Sequence, residues 1–231
     1  MNEHLTSDTS QHIPARAART PRRRKRYTVV AGALAMCGAI SAGGLAWAWI
    51  AAVQPAAVFF TPASVVPGNP SAPDIWAFNE RQDVILPVPI LLDVQPVNPG
   101  VRVPGDLNPV WIPAGTCVSS HYVHYEDTVP STATGGVRYV RPILGVAVRQ
   151  PTLDATNFLG RPGVAYPTAA NCNAVAGVDC GMELLPQDEL RVDPLRVQVR
   201  FEAQSPGDRI RVVTAGDPAQ CHPLGNGGQD D

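Results

Sequence analysis

Lysine is all but missing from this 231-residue chain: Lys25 stands alone, and nothing after it carries an ε-amino group. A G-x-x-x-x-G-K-[ST] phosphate loop and Schiff-base chemistry both require one, so the chain beyond residue 25 can perform neither. No G-x-S-x-G occurs, which removes the strand–turn–helix setting of an α/β-hydrolase serine. No C-x-x-C occurs either, so the usual dithiol of a redox module is absent. Lysine scarcity beside abundant Ala, Pro, Gly and Arg reads as the coding bias of a GC-rich bacterial or phage genome.

The net charge of −2 hides a division. Residues 1–26 hold seven basic residues (Arg16, Arg19, Arg22, Arg23, Arg24, Lys25, Arg26) against Glu3 and Asp8. Residues 54–231 hold eleven arginines against eighteen acidic residues, a net of −7. An acidic module without lysine presents no broad cationic surface, so nucleic acid is not an expected partner.

From Tyr27 to Pro73 there is no charged residue, and Thr28 to Val53 is an apolar run without proline. At about 1.5 Å per residue it spans a hydrocarbon core of roughly 30 Å with length to spare. Residues 27–53 are therefore expected to form a single transmembrane helix that meets the lipid bilayer through residues 28–53. The basic residues before the run place tail 1–26 in the cytoplasm, and Trp47 and Trp49 suit the far interface. Two processing alternatives stay open. Ala46-Trp47-Ala48 offers a signal-peptidase site, although the apolar stretch continues past it. Leu34-Ala35-Met36-Cys37 resembles a lipobox with Met36 in place of a small residue. Ala31, Ala35, Ala39 and Gly43 form a small-residue stripe through which the anchor can homodimerise.

Five prolines and no charge make residues 54–73 an expected stalk. Residues 74–224 then form the extracytoplasmic domain, and 225–231 a disordered acidic tail. The domain's local signal is β. Leu195 to Ala203 alternates apolar and polar residues, and Ser205-Pro206-Gly207-Asp208 separates it from Ile210 to Thr214, which together predict a hairpin. Further strands are expected over Val84–Val94, Val110–Tyr125, Val137–Arg141 and Leu144–Arg149, with one short helix over Met182–Leu190. Short strands separated by turn residues, with 24 prolines in the chain, predict an all-β sandwich or partly open barrel. Pro104-Gly105-Asp106 and Pro206-Gly207-Asp208 each precede a strand, a placement that resembles immunoglobulin-like extracellular modules.

Cys37 falls in the apolar run, while Cys117, Cys172, Cys180 and Cys221 all lie beyond it, where disulfides persist. Three pairings are possible. Cys172 and Cys180 are near neighbours in a loop, so pairing them is the economical choice and leaves Cys117 with Cys221.

Cys117, His121, His124 and Cys221-His222 are metal-ligand types, but on a strand Cys117 and His121 share a face that His124 does not. Ser119 and Ser120 beside His121, with Glu126 and Asp127 following, fail as a hydrolase triad for the same reason. Glu126-Asp127 and Asp188-Glu189 read as solvated acidic pairs. Trp111 is expected in the core, and Trp76, Tyr122 and Tyr125 are candidates for a core or a binding surface. No cofactor or metal is expected. The resulting expectation is a non-catalytic envelope protein in a bacterial or phage-encoded cytoplasmic membrane, whose outer β domain binds a partner or supports a membrane assembly. The alternatives are an extracytoplasmic hydrolase assembled from residues distant in sequence, and a secreted domain released by cleavage.

Overall fold

The computed structural model describes residues 50–54, 57–66, 72–96, 107–127, 131–172, 181–182, 188–203 and 207–225. The stripe of Ala31, Ala35, Ala39 and Gly43, the greater part of the expected helix, Cys180 and the Pro104-Gly105-Asp106 turn all lie outside the described residues.

The described chain is mostly β-strand. Its elements are β1 (Ile50–Gln54), β2 (Ala57–Phe59), β3 (Ala72–Asn79), β4 (Val84–Ile85), β5 (Ile90–Leu92), β6 (Val110–Ile112), β7 (Cys117–Glu126), β8 (Ser131–Tyr139) and β9 (Ile143–Ala147). Helix α1 (Gln150–Ala155), a 3-10 turn (Asn157–Leu159) and helix α2 (Ala169–Cys172) follow, then β10 (Glu189–Asp193), β11 (Arg196–Ala203), β12 (Asp208–Ala215) and β13 (His222–Pro223). Among the described residues no helix is long and apolar enough to cross a membrane.

Two sheets stack. One has the order β1-β8-β11-β10 and is antiparallel throughout. The other follows β13-β4-β7-β12-β9, with β3 beside β7 and β2 parallel to β3. Between them lies a core containing Ile75, Val123, Ile210 and Val212 from the larger sheet, with Val137, Val197, Val199 and Phe201 from the smaller. A second core covers the larger sheet's other face, where Phe78, Val118, Tyr122 and Val213 meet Leu92, Ile112, Leu153 and Leu159. The larger sheet is thus buried on both sides, and this removes the alternation from β7, whose residues after Cys117 are all buried.

Several expectations need correction. Residues 50–53, expected at the end of the helix, form β1, because Ile50 to Gln54 pair with Tyr139 to Gly136 and bury Ile50. The described residues of the expected stalk are instead part of the domain: β2 pairs with β3, Ser64 bridges to Ala165, and Val65 is fully buried. The expected hairpin does not form, since β11 pairs with β8 and β10 while β12 pairs with β7 and β9, so the two strands belong to different sheets. Glu189 and Leu190, placed in a helix, begin β10 and pair with Arg200 and Val199.

Helix α1 has no side-chain cap of its own. The Asp93 carboxylate, just past β5, instead holds the residues that lead into it: Oδ2 accepts the Val148 and Arg149 backbone N–H groups at 2.8 and 3.0 Å, and Oδ1 accepts Thr152 Oγ1 at 2.9 Å. Arg149 completes the contact, Nε to Oδ1 at 2.7 Å. This fastens the two-stranded ribbon β5–β6 to the body. Gly145 lets the ribbon sit close, since a Cβ there would fall 2.7 Å from Leu92 Cδ1 and 2.8 Å from Val110 Cγ1.

Candidate functional site

Strand β7 carries most of the sequence's chemically suggestive residues, and its pleat divides them. Ser119 and His121 face the inter-sheet core, while Ser120, Tyr122 and His124 face the second one. Cys117 is bridged to Cys221, with Cα atoms 5.9 Å apart across 104 residues of sequence. Cys172 is also disulfide-bonded.

His121 is a buried structural histidine. Its Nδ1 lies 2.9 Å from Asn79 Oδ1, its Nε2 3.2 Å from Thr214 Oγ1, and its ring centroid 4.7 Å from that of Tyr139. Burial pushes its pKa down to about 3, so the ring is neutral. His124 is likewise held well below the usual histidine range, by burial first and then by the Arg209 charge. The 3.8 Å approach of its Nε2 to Glu126 Oε2 is therefore the contact of a neutral ring and not an ion pair. Among the described residues no three His, Cys, Asp or Glu side chains gather as a metal ion would need.

The serines split in the same way. Ser119 Oγ donates to Asp83 Oδ1 at 3.3 Å on one face, and Ser120 Oγ donates to Glu80 Oε2 at 2.5 Å on the other. Burial raises the Asp83 pKa above its ordinary value. Asp188 accepts the Glu202 backbone N–H at 2.9 Å, so one member of an expected solvated pair is a buried structural acceptor.

Under the second core lies an ionic centre that the sequence did not advertise. Arg211 is fully buried and donates Nε to Glu80 Oε2 at 2.8 Å and Nη2 to Glu80 Oε1 at 2.9 Å. Its Nη1 donates to Leu153 O at 2.9 Å and Thr156 Oγ1 at 2.8 Å, and Nη2 also reaches Asn157 Oδ1 at 3.2 Å. Tyr122 and Tyr166 flank the guanidinium, their ring centroids 5.4 and 5.3 Å away. Burial alone would lower the Arg211 pKa, but the Glu80 carboxylate holds it above its ordinary value. Burial pushes the Tyr122 phenol up to about 12. This centre locks α1 and the 3-10 turn onto the sheet, with its polar atoms turned toward protein partners. No local pattern marks it: Arg211 alternates with Ile210 and Val212, as on a strand with one wet face.

On β5–β6 the inward residues Ile90, Leu92 and Ile112 are buried, while Leu91 and Trp111, directly opposite each other, point out at 37% and 64% exposure. Val88 is exposed beside them in sequence. Trp111 was expected in the core; its parity on β6 turns it outward, and Ile112 takes the buried position. Along the outer face of β1-β8-β11-β10 runs an open groove of about 490 Å³ lined by Gln54, Arg138, Asp193 and Arg196 among others. No protein-family model matches the chain, and searches of curated proteins and of solved structures find no significant match.

Proposed function

We propose that this protein is a non-catalytic, membrane-anchored component of a bacterial or phage-encoded cell envelope, whose outer β-sandwich docks a protein partner through the Trp111 face of the β5–β6 ribbon. The observation that carries the reading is the exposure of Trp111 opposite Leu91 on a ribbon that Asp93 fastens rigidly to the body. A large, preorganised aromatic on a small apolar surface is the composition of an interface hot spot. The anchor shortens under this reading: Thr28 to Trp49 are 22 residues, about 33 Å of helix, still enough to cross. The acidic outer domain, the basic residues before the run and the disulfides all agree with an extracytoplasmic position.

The test is capture from the native membrane. The full chain, carrying a photoreactive side chain at position 111, should yield a discrete protein adduct, and Trp111→Asp in the unlabelled chain should abolish co-purification of that partner. An intact Trp111→Asp fold with unchanged co-purification would sink the proposal.

A further inference from the structure

The exposed apolar side chains of β2 lie where the chain enters the domain. Val58, Phe59 and Phe60 are 37%, 51% and 48% exposed, and Phe60 leans on Trp76 with ring centroids 4.9 Å apart. Strand register shows where they are. Ile50, the first described residue, pairs with Tyr139. The Tyr139 ring rests on His121, His121 pairs with Asn79, and Ala77, two residues back along β3, pairs with Phe59. Two strand residues span about 7 Å, so Phe59 lies about that far along the sandwich from the level of Ile50, on the edge strand β2 with Phe60 just after it. Val140, next to Tyr139, adds a further apolar side chain there at 53% exposure. Thr132 lies toward the opposite end, on the outer face of β8.

Residues 50–66 carry no charge, and no stalk separates them from the apolar run that ends at Trp49. We infer that this end of the domain rests on the bilayer surface, with Phe59 and Phe60 inserted at the boundary between headgroups and acyl chains. The inference rests on the proposed anchor. It accounts for the large apolar side chains exposed on and just after β2, and it replaces a stalked module with one seated flush on the membrane. Arg138 and Arg196, opposite each other in β8 and β11 near this end, supply guanidiniums for lipid phosphates, with Asp193 paired to Arg196 in register beside them. The lipid interface favours such a mixture of rings and basic side chains.

The experiment uses the full chain reconstituted in vesicles of phosphatidylethanolamine and phosphatidylglycerol, with p-benzoylphenylalanine placed singly at positions 47, 59, 60 and 132. Illumination should transfer labelled lipid to positions 47, 59 and 60, several-fold above position 132. Lipid adducts at 47 with only protein adducts at 59 and 60, whether to a second copy or to another chain, would overturn the seating and leave the anchor intact. Equal labelling at 59 and 132 would overturn it in the same way. Extraction of the chain from the vesicles by alkaline carbonate, with no lipid adduct at 47, would remove the anchor itself and the seating with it.

Discussion

Arg211 grips Glu80 with two parallel hydrogen bonds, at 2.8 and 2.9 Å, inside a layer that water does not reach. The geometry is bidentate, and the guanidinium's other contacts go to Leu153, Thr156 and Asn157. Removing one partner would leave the other charged and buried. Glu80→Ala is expected to cost roughly 3–5 kcal/mol in denaturant unfolding of the purified chain. A double replacement by apolar residues of similar size should cost less than the sum of the two single changes. Additive costs in that double-mutant cycle would show that the two residues act independently.

Asp93 offers a separable test, because it fastens the ribbon and not the central sheet. Asp93→Ala removes the acceptor of the Val148, Arg149 and Thr152 bonds and should cost at least the roughly 1.5–3 kcal/mol of one charge-assisted hydrogen bond. Its signature is local: amide exchange should accelerate in β5, β6 and α1 before the rest of the domain. Uniform acceleration would mean that the ribbon is not an independently anchored unit.

These two centres also mark where sequence reasoning ran out. The β content and the Cys117–Cys221 bridge were legible, since strand propensity is local and cysteine counting is combinatorial. The burial of Arg209 and Arg211 was not. In Asp208-Arg209-Ile210-Arg211-Val212 the arginines alternate with aliphatics, which reads as one wet face, yet α1 and the 3-10 turn cover that face. Trp111 failed in the opposite direction, because hydrophobicity alone does not say which side of a three-residue strand faces inward. The missed hairpin has the same root: β11 and β12 are adjacent in sequence and correctly sited as strands, but pairing partners are set by the packing of whole sheets.

Gly207 leads into β12 beside the end of β7. Its φ is +76°, and a Cβ would fall 2.6 Å from both Glu126 Cβ and Tyr125 O. Gly207→Ala therefore meets a backbone penalty of roughly 1–2 kcal/mol and a clash with the end of β7. A clear loss of thermal stability is expected, larger than for Gly163→Ala, where φ is +80° but nothing lies within 4 Å. Equal losses would show that the close approach to β7 contributes nothing.

The two disulfides should differ in weight. Closing 104 residues of sequence restricts the unfolded chain by roughly 4–5 kcal/mol in the chain-entropy account. If Cys172 closes only the short loop to Cys180, its bridge restricts far less. Cys221→Ser should therefore lower the melting temperature more than Cys172→Ser. Equal melting of the two variants would argue that Cys172 closes a long loop instead.

The two buried histidines make stability depend on acid in a definite direction. Both are neutral in the fold, and their folded pKa values lie below the ordinary 6.5, at about 3 for His121. Below pH 6.5 the unfolded chain takes up protons that the folded chain refuses, so stability is complete above that value and falls as the pH drops toward 3. Each histidine contributes up to about 1.4 kcal/mol per pH unit across its window. Asp83 acts in the opposite sense. Burial raises its pKa above 3.8, so its contribution is favourable in acid and is lost as the pH rises through the folded value, which offsets the histidines only at the acid end. Unfolding free energy measured from pH 7 down to pH 4 should therefore decline steadily. His121→Gln should flatten that decline by about one proton's worth, even if it weakens the fold at pH 7. A variant with an unchanged slope would mean that His121 is not held neutral by its burial between Tyr139, Asn79 and Thr214.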